Sequence, residues 1–125
     1  MKKIKISVDE IDVVAEINES PTGKAIFEAL PLEGKINVWG DEIYFDIPVQ
    51  LAAEPEAREA VEVGDLGYWP VGAAFCIFFG PTPVAIDEKP RAYSPVNVFG
   101  RTIDDATIFR GVSQGAAVRV SAISE

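Results

Sequence analysis

Histidine is absent from this sequence, and with it go the Ser-His-Asp triad, the Cys-His pair and the common Cys/His zinc site. Cysteine occurs once, at Cys76, which excludes an intramolecular disulfide. Cys76 lies inside the apolar run AAFCIFF, where burial raises a thiol's pKa and leaves it inert, so its expected role is structural. Apolar runs approaching the ~20 residues of a membrane helix are missing, and MKKIKISVDE lacks the apolar length of a signal peptide. A cytoplasmic location is the resulting expectation. Two glutamines and three asparagines make thermolabile amides scarce, a hint of a heat-adapted source. Positive charge is also short: 11 Lys and Arg stand against 20 Asp and Glu, for a net charge of −9. Such a field repels phosphate backbones and anionic lipid, so neither nucleic acid nor a membrane surface is an expected partner.

What is present is a globular balance. Hydrophobic residues make up 48% of the 125 and charged residues 25%, enough for one ordinary core in one domain spanning residues 1–125. Ile4, Ile6 and Val8 alternate with polar residues up to Asp9-Glu10, and alternation resumes at Ile11, Val13, Ala15 and Ile17: an opening hairpin with one wet face. Ser20-Pro21 supplies an N-cap and a first-turn proline for a helix over about 21–30, whose stripe is Ala25, Ile26, Ala29 and Leu30. A second hairpin spans 35–39 and 42–47 around Gly40-Asp41. Residues 52–60 lack a stripe and read as a surface loop or one helical turn. Strands follow at 66–69 and 73–79, the latter apolar on both faces as a strand covered from two sides must be. Residues 84–95 read as a long connection, 96–99 as a short strand, Asp104-Asp105 as a turn or helical stub, and 117–123 as a last strand.

The segment EINESPTGKAIFEAL (16–30) resembles the start of cyclophilins, with Phe27 and Leu30 as the buried helix residues, and NVFGR (97–101) is similar to a motif on a late cyclophilin strand. WGDEIYF, GDLGYW and FFGPTP together resemble a small prokaryotic cyclophilin-like family of about this length, over nearly the whole chain. That resemblance implies a mainly β fold: a closed eight-stranded antiparallel β-barrel with one or two short helices, in agreement with the strand count from periodicity. It implies no established activity. Prolyl isomerases of the cyclophilin type carry a Phe-His-Arg motif and a Gln-Gly-Gly segment, and neither occurs here.

The expected site is a pocket for a small molecule or a proline-containing peptide, rimmed by Trp39, Glu42, Tyr44, Tyr68, Phe79 and Arg101, because aromatics and Gly-Pro breaks gather at strand ends. For Trp69 the core is favoured over the rim. On the strand face of Glu42, Tyr44 and Asp46, an outward, solvated orientation is favoured over one facing a barrel mouth. Arg101 and Arg110 are expected in surface ion pairs ahead of catalysis. Glu54, Glu56 and Glu59 lack the rhythm of a calcium loop, so no metal is expected, and no cofactor. Two other readings stay open: a divergent peptidyl-prolyl isomerase, and an interaction module that forms a homo-oligomer through exposed aromatics.

Overall fold

The computed structural model describes residues 2–123. Its strands are β1 (Lys2–Val8), β2 (Ile11–Ile17), β3 (Leu32–Lys35), β4 (Asn37–Val38), β5 (Glu42–Asp46), β6 (Arg58–Ala60), β7 (Asp65–Trp69), β8 (Ala74–Phe78), β9 (Arg91–Thr102) and β10 (Ala117–Ala122). The helix α1 (Pro21–Ala29) and a 3-10 turn at Ala106–Phe109 complete the elements. The fold is mainly β and antiparallel. Hydrogen bonding runs in the order β3-β10-β1-β2-β9-β7-β8-β5-β4, with β6 attached to β9.

The expected closed barrel of eight strands is corrected on both counts. Among the described residues ten strands form, and the ladder does not close between its ends β3 and β4. Those two strands follow one another in the chain with Ile36 alone between them, and Ile36 pairs instead with the loop before β10 through Ile36 N–H to Ala116 C=O at 3.0 Å and Gly115 N–H to Ile36 C=O at 2.8 Å. The two ends of the hydrogen-bonded order are thus joined along the chain at Ile36 and not by a ladder.

Two apolar clusters occupy the two faces of the sheet. Strict alternation sends Ile4, Ile6, Val13, Phe45, Phe75 and Phe99 into the main core, where Phe75 stacks on Phe45 at 5.3 Å and meets Phe99 edge-on at 5.0 Å. The run AAFCIFF serves both faces: Phe75, Ile77 and Phe79 enter the main core, while Ala74, Cys76 and Phe78 join Val61, Ala92 and Val96 in a smaller outer cluster. Covering from two sides, read from the sequence, is what the sheet provides.

Ser20 caps α1 by accepting from Gly23 N–H at 3.1 Å. The buried helix side is Thr22, Gly23 and Ile26; of the expected stripe Ala25, Ala29 and Leu30 are half-buried, and so is Phe27, which the resemblance implied to be buried with Leu30. Phe27 lies beneath the Lys2 ammonium, 4.8 Å from its ring centre. Two other readings are revised. Residues 58–60 form a strand, and the expected short strand at 96–99 is the middle of twelve-residue β9, which begins at Arg91. The extra length of β9 pairs with β6, at Arg58 with Val96 and Ala60 with Arg91, across an irregularity.

Candidate functional site

The outer cluster is incomplete, and the space it leaves is a cavity of about 220 Å³. Three stretches of chain build it. The hairpin of β4 and β5 turns through two residues, with Trp39 and Glu42 exchanging backbone hydrogen bonds at 2.9 and 3.2 Å. Gly40 occupies the first central position with φ of 61°, which a type II′ turn reserves for glycine. This turn sets Trp39 beside Glu42, and the two-residue period then brings Tyr44 to the same face.

From the next ladder, Cys76 lies opposite Tyr44 on β8, and Trp69 ends β7. The Trp69 indole donates to Ser94 Oγ at 2.6 Å, which ties it to β9. That strand contributes Ala92, Tyr93 and Val96. Neighbouring rings stand nearly perpendicular: Trp39 to Tyr93 at 78°, Tyr44 to Trp69 at 71°, and Trp69 to Tyr93 at 89°, with centroids 6.1–6.4 Å apart. The rings are arranged as walls of a box rather than as a stack.

Among the described residues Glu42 is the one charged side chain lining this space, and it is 5% exposed. Burial pushes its carboxyl up from an ordinary value of 4.5 to about 7, against a smaller lowering by the neighbouring Cys76 thiol. Burial also raises the thiol well above its usual range, and the Glu42 carboxylate adds to that, so Cys76 is a neutral wall rather than a nucleophile.

Of the six residues expected at the pocket, the structure brings Trp39, Glu42 and Tyr44 together. The favoured solvated orientation of Glu42 is corrected: its face does point away from the main core, but β9 and the outer cluster cover it. Tyr68 and Phe79 are fully buried in the main core, on the opposite side of the sheet. The Tyr68 hydroxyl donates to Val49 C=O at 2.6 Å and accepts from Leu51 N–H at 3.0 Å. Arg101 is exposed on β9, across from Asp65 in register, and away from the cavity. Arg110 pairs with Asp41 at 3.5 Å. No arginine lines the cavity among the described residues.

Sequence reasoning missed Tyr93 and placed Trp69 in the core. Tyr93 is an aromatic residue between Pro90 and Pro95 in an otherwise polar stretch, which is the signal it offered. Two of the acidic side chains of 54–59 serve structure: Glu54 accepts from Thr22 N–H at 3.2 Å and Glu59 pairs with Arg91 at 2.5 Å. A larger hollow of about 520 Å³ beside α1 is bordered by Lys2, Glu19, Lys24 and Glu28, all exposed, and has no buried polar group facing it. Among the described residues, no helix is long and apolar enough to cross a membrane.

A family model described as cyclophilin-like matches residues 2–121. The solution structure of a hypothetical protein, AF2241 from Archaeoglobus fulgidus, is similar with a TM-score of 0.82 and 38% identity, covering 98% of this chain and 95% of that one. The structure of McbB in complex with tryptophan is similar with a TM-score of 0.74 and 18% identity, covering 98% of this chain and 45% of that one. This last likeness is one of fold. Among curated proteins, no match to the sequence was found.

Proposed function

This chain belongs to the cyclophilin-like family, and on that scaffold we propose that it is a binding module for a small, largely planar organic molecule held between Trp39, Tyr44, Trp69 and Tyr93, with Glu42 as the polar anchor. The observation that carries this reading is one buried carboxyl facing a space otherwise walled by rings, apolar side chains and a neutral thiol. Such a site gains affinity from burying an apolar body and orientation from a single polar group. At about 220 Å³ the cavity exceeds the ~150 Å³ that admits a benzene ring, so a substituted ring fits. Tyr93 is 69% exposed, which leaves the site a side from which a ligand enters.

McbB is in complex with tryptophan, which makes tryptophan and related aromatics a rational first panel. Both tryptophans of the chain line the cavity, so intrinsic fluorescence reports occupancy directly. A ligand from an aromatic panel is expected to raise the melting temperature and change tryptophan emission, and Trp69→Leu is expected to weaken it by ~10-fold or more. A broad panel that shifts neither signal would remove the support for binding.

A further inference from the structure

The cavity is electrostatically one-sided. Glu42 carries its only formal charge, and among the described residues Glu42 belongs to none of the ion pairs. Asp41, its neighbour in the turn, is matched by Arg110 instead. A buried carboxylate without a counter-charge is a standing cost to the fold unless something external supplies that charge.

The walls add rings of a kind that accommodates a cation. The faces of Trp and Tyr rings carry negative potential, and near-perpendicular packing lets several rings border one space without stacking on each other. An anion entering would meet a carboxylate and these rings together. The net charge of −9 adds a long-range attraction for cations.

We propose that the ligand is a small organic cation: an ammonium group on an aromatic or apolar body, its nitrogen seated at Glu42 and enclosed by Trp39, Tyr44, Trp69 and Tyr93. This assignment rests on the binding reading above and narrows it to one charge class. The ammonium supplies the counter-ion that the protein withholds from Glu42, and the rings hold both the charge and the body.

Calorimetric titration at pH 8 with 2-phenylethylammonium, 2-phenylethanol and phenylacetate tests it, since the three share a body and differ in charge. The ammonium is expected to bind at least ~10-fold more tightly than the alcohol, with no detectable binding of phenylacetate. Glu42→Gln is expected to bring the ammonium to about the affinity of the alcohol while leaving the alcohol within ~2–3-fold. Tyr93→Ala, at an exposed position where folding is not at stake, is expected to weaken the ammonium more than the alcohol. Equal or tighter binding of the alcohol, or a preference that survives Glu42→Gln, overturns the cation assignment and leaves the binding reading standing. If none of the three binds while the aromatic panel still raises the melting temperature, the cation assignment alone is overturned. Failure of the probes and the panel together removes both.

Discussion

Asn97 and Glu42 are both buried polar side chains, and the fold treats them in opposite ways. The Asn97 amide donates to Thr22 Oγ1 at 3.1 Å and to Ala52 C=O at 3.0 Å, and accepts from Glu54 N–H at 2.8 Å, so it joins α1, β9 and the loop before β6. Replacing it by Ala strands several of those partners, and a loss of about 2–4 kcal/mol is expected in urea denaturation. Glu42 has no comparable network: the neighbouring Cys76 thiol lowers its pKa through a hydrogen bond, against a larger rise from burial. Below pH 4.5 both folded and unfolded chains hold its proton; from 4.5 to about 7 only the folded chain does, so stability falls as pH rises through that window and then levels off. The fall is at most about 3 kcal/mol. Glu42→Gln is therefore expected to be more stable than the native chain at pH 8 and to flatten this part of its stability-pH profile. Parallel profiles for the two proteins would refute the assignment of that slope to Glu42.

At the scale of elements, what could be read from the sequence followed the length of the alternation. β1, β2, β5 and β10 each repeat the period often enough to announce themselves, β8 shows instead as an unbroken apolar run, and Ser20 marks the helix start with a side chain that does cap it. The strand expected over 35–39 forms as two, β3 and β4, broken at Ile36, and three-residue β6 is too short for a period to register, which is why eight strands were expected and ten are seen among the described residues. The first half of β9 carries Pro95 and polar residues, and it becomes a strand because β6 pairs with it, a long-range cause invisible in a local window. The site was legible for the same reason and to the same extent. The turn at Gly40 placed Trp39, Glu42 and Tyr44 side by side, whereas Tyr68 and Trp69 are adjacent rings on opposite faces, and nothing local says which face holds the space. Gly67, opposite Cys76 on β7, shows how tightly these elements meet: a Cβ there would come within 2.9 Å of Val96 Cγ2 and 3.2 Å of Phe78 Cε2. Gly67→Ala is expected to cost about 1–3 kcal/mol and to weaken ligand binding, because Val96 must move and Val96 is a cavity wall. A folded variant with unchanged stability and unchanged binding would contradict this.

For the molecule as a whole, the two clusters share β5, β7, β8 and β9, so neither can melt without disturbing strands that serve the other. One cooperative transition is expected, with tryptophan fluorescence, which reports the outer cluster, and far-UV circular dichroism, which reports the sheet, giving the same urea midpoint. An earlier fluorescence transition would show the outer layer opening on its own. The first and last long strands, β1 and β10, pair along five residue positions, so the sheet is completed only when distant parts of the chain meet.

The placement of the cavity on the opposite side of the sheet from the main core also bears on how such a scaffold can diversify. On the proposed reading, substitutions at Trp39, Tyr44 or Tyr93 would alter what is recognised without touching the main core. Descendants of one ancestral chain can thus part ways in chemical preference through changes on a single surface, while the inward-facing positions drift slowly and keep the shared architecture.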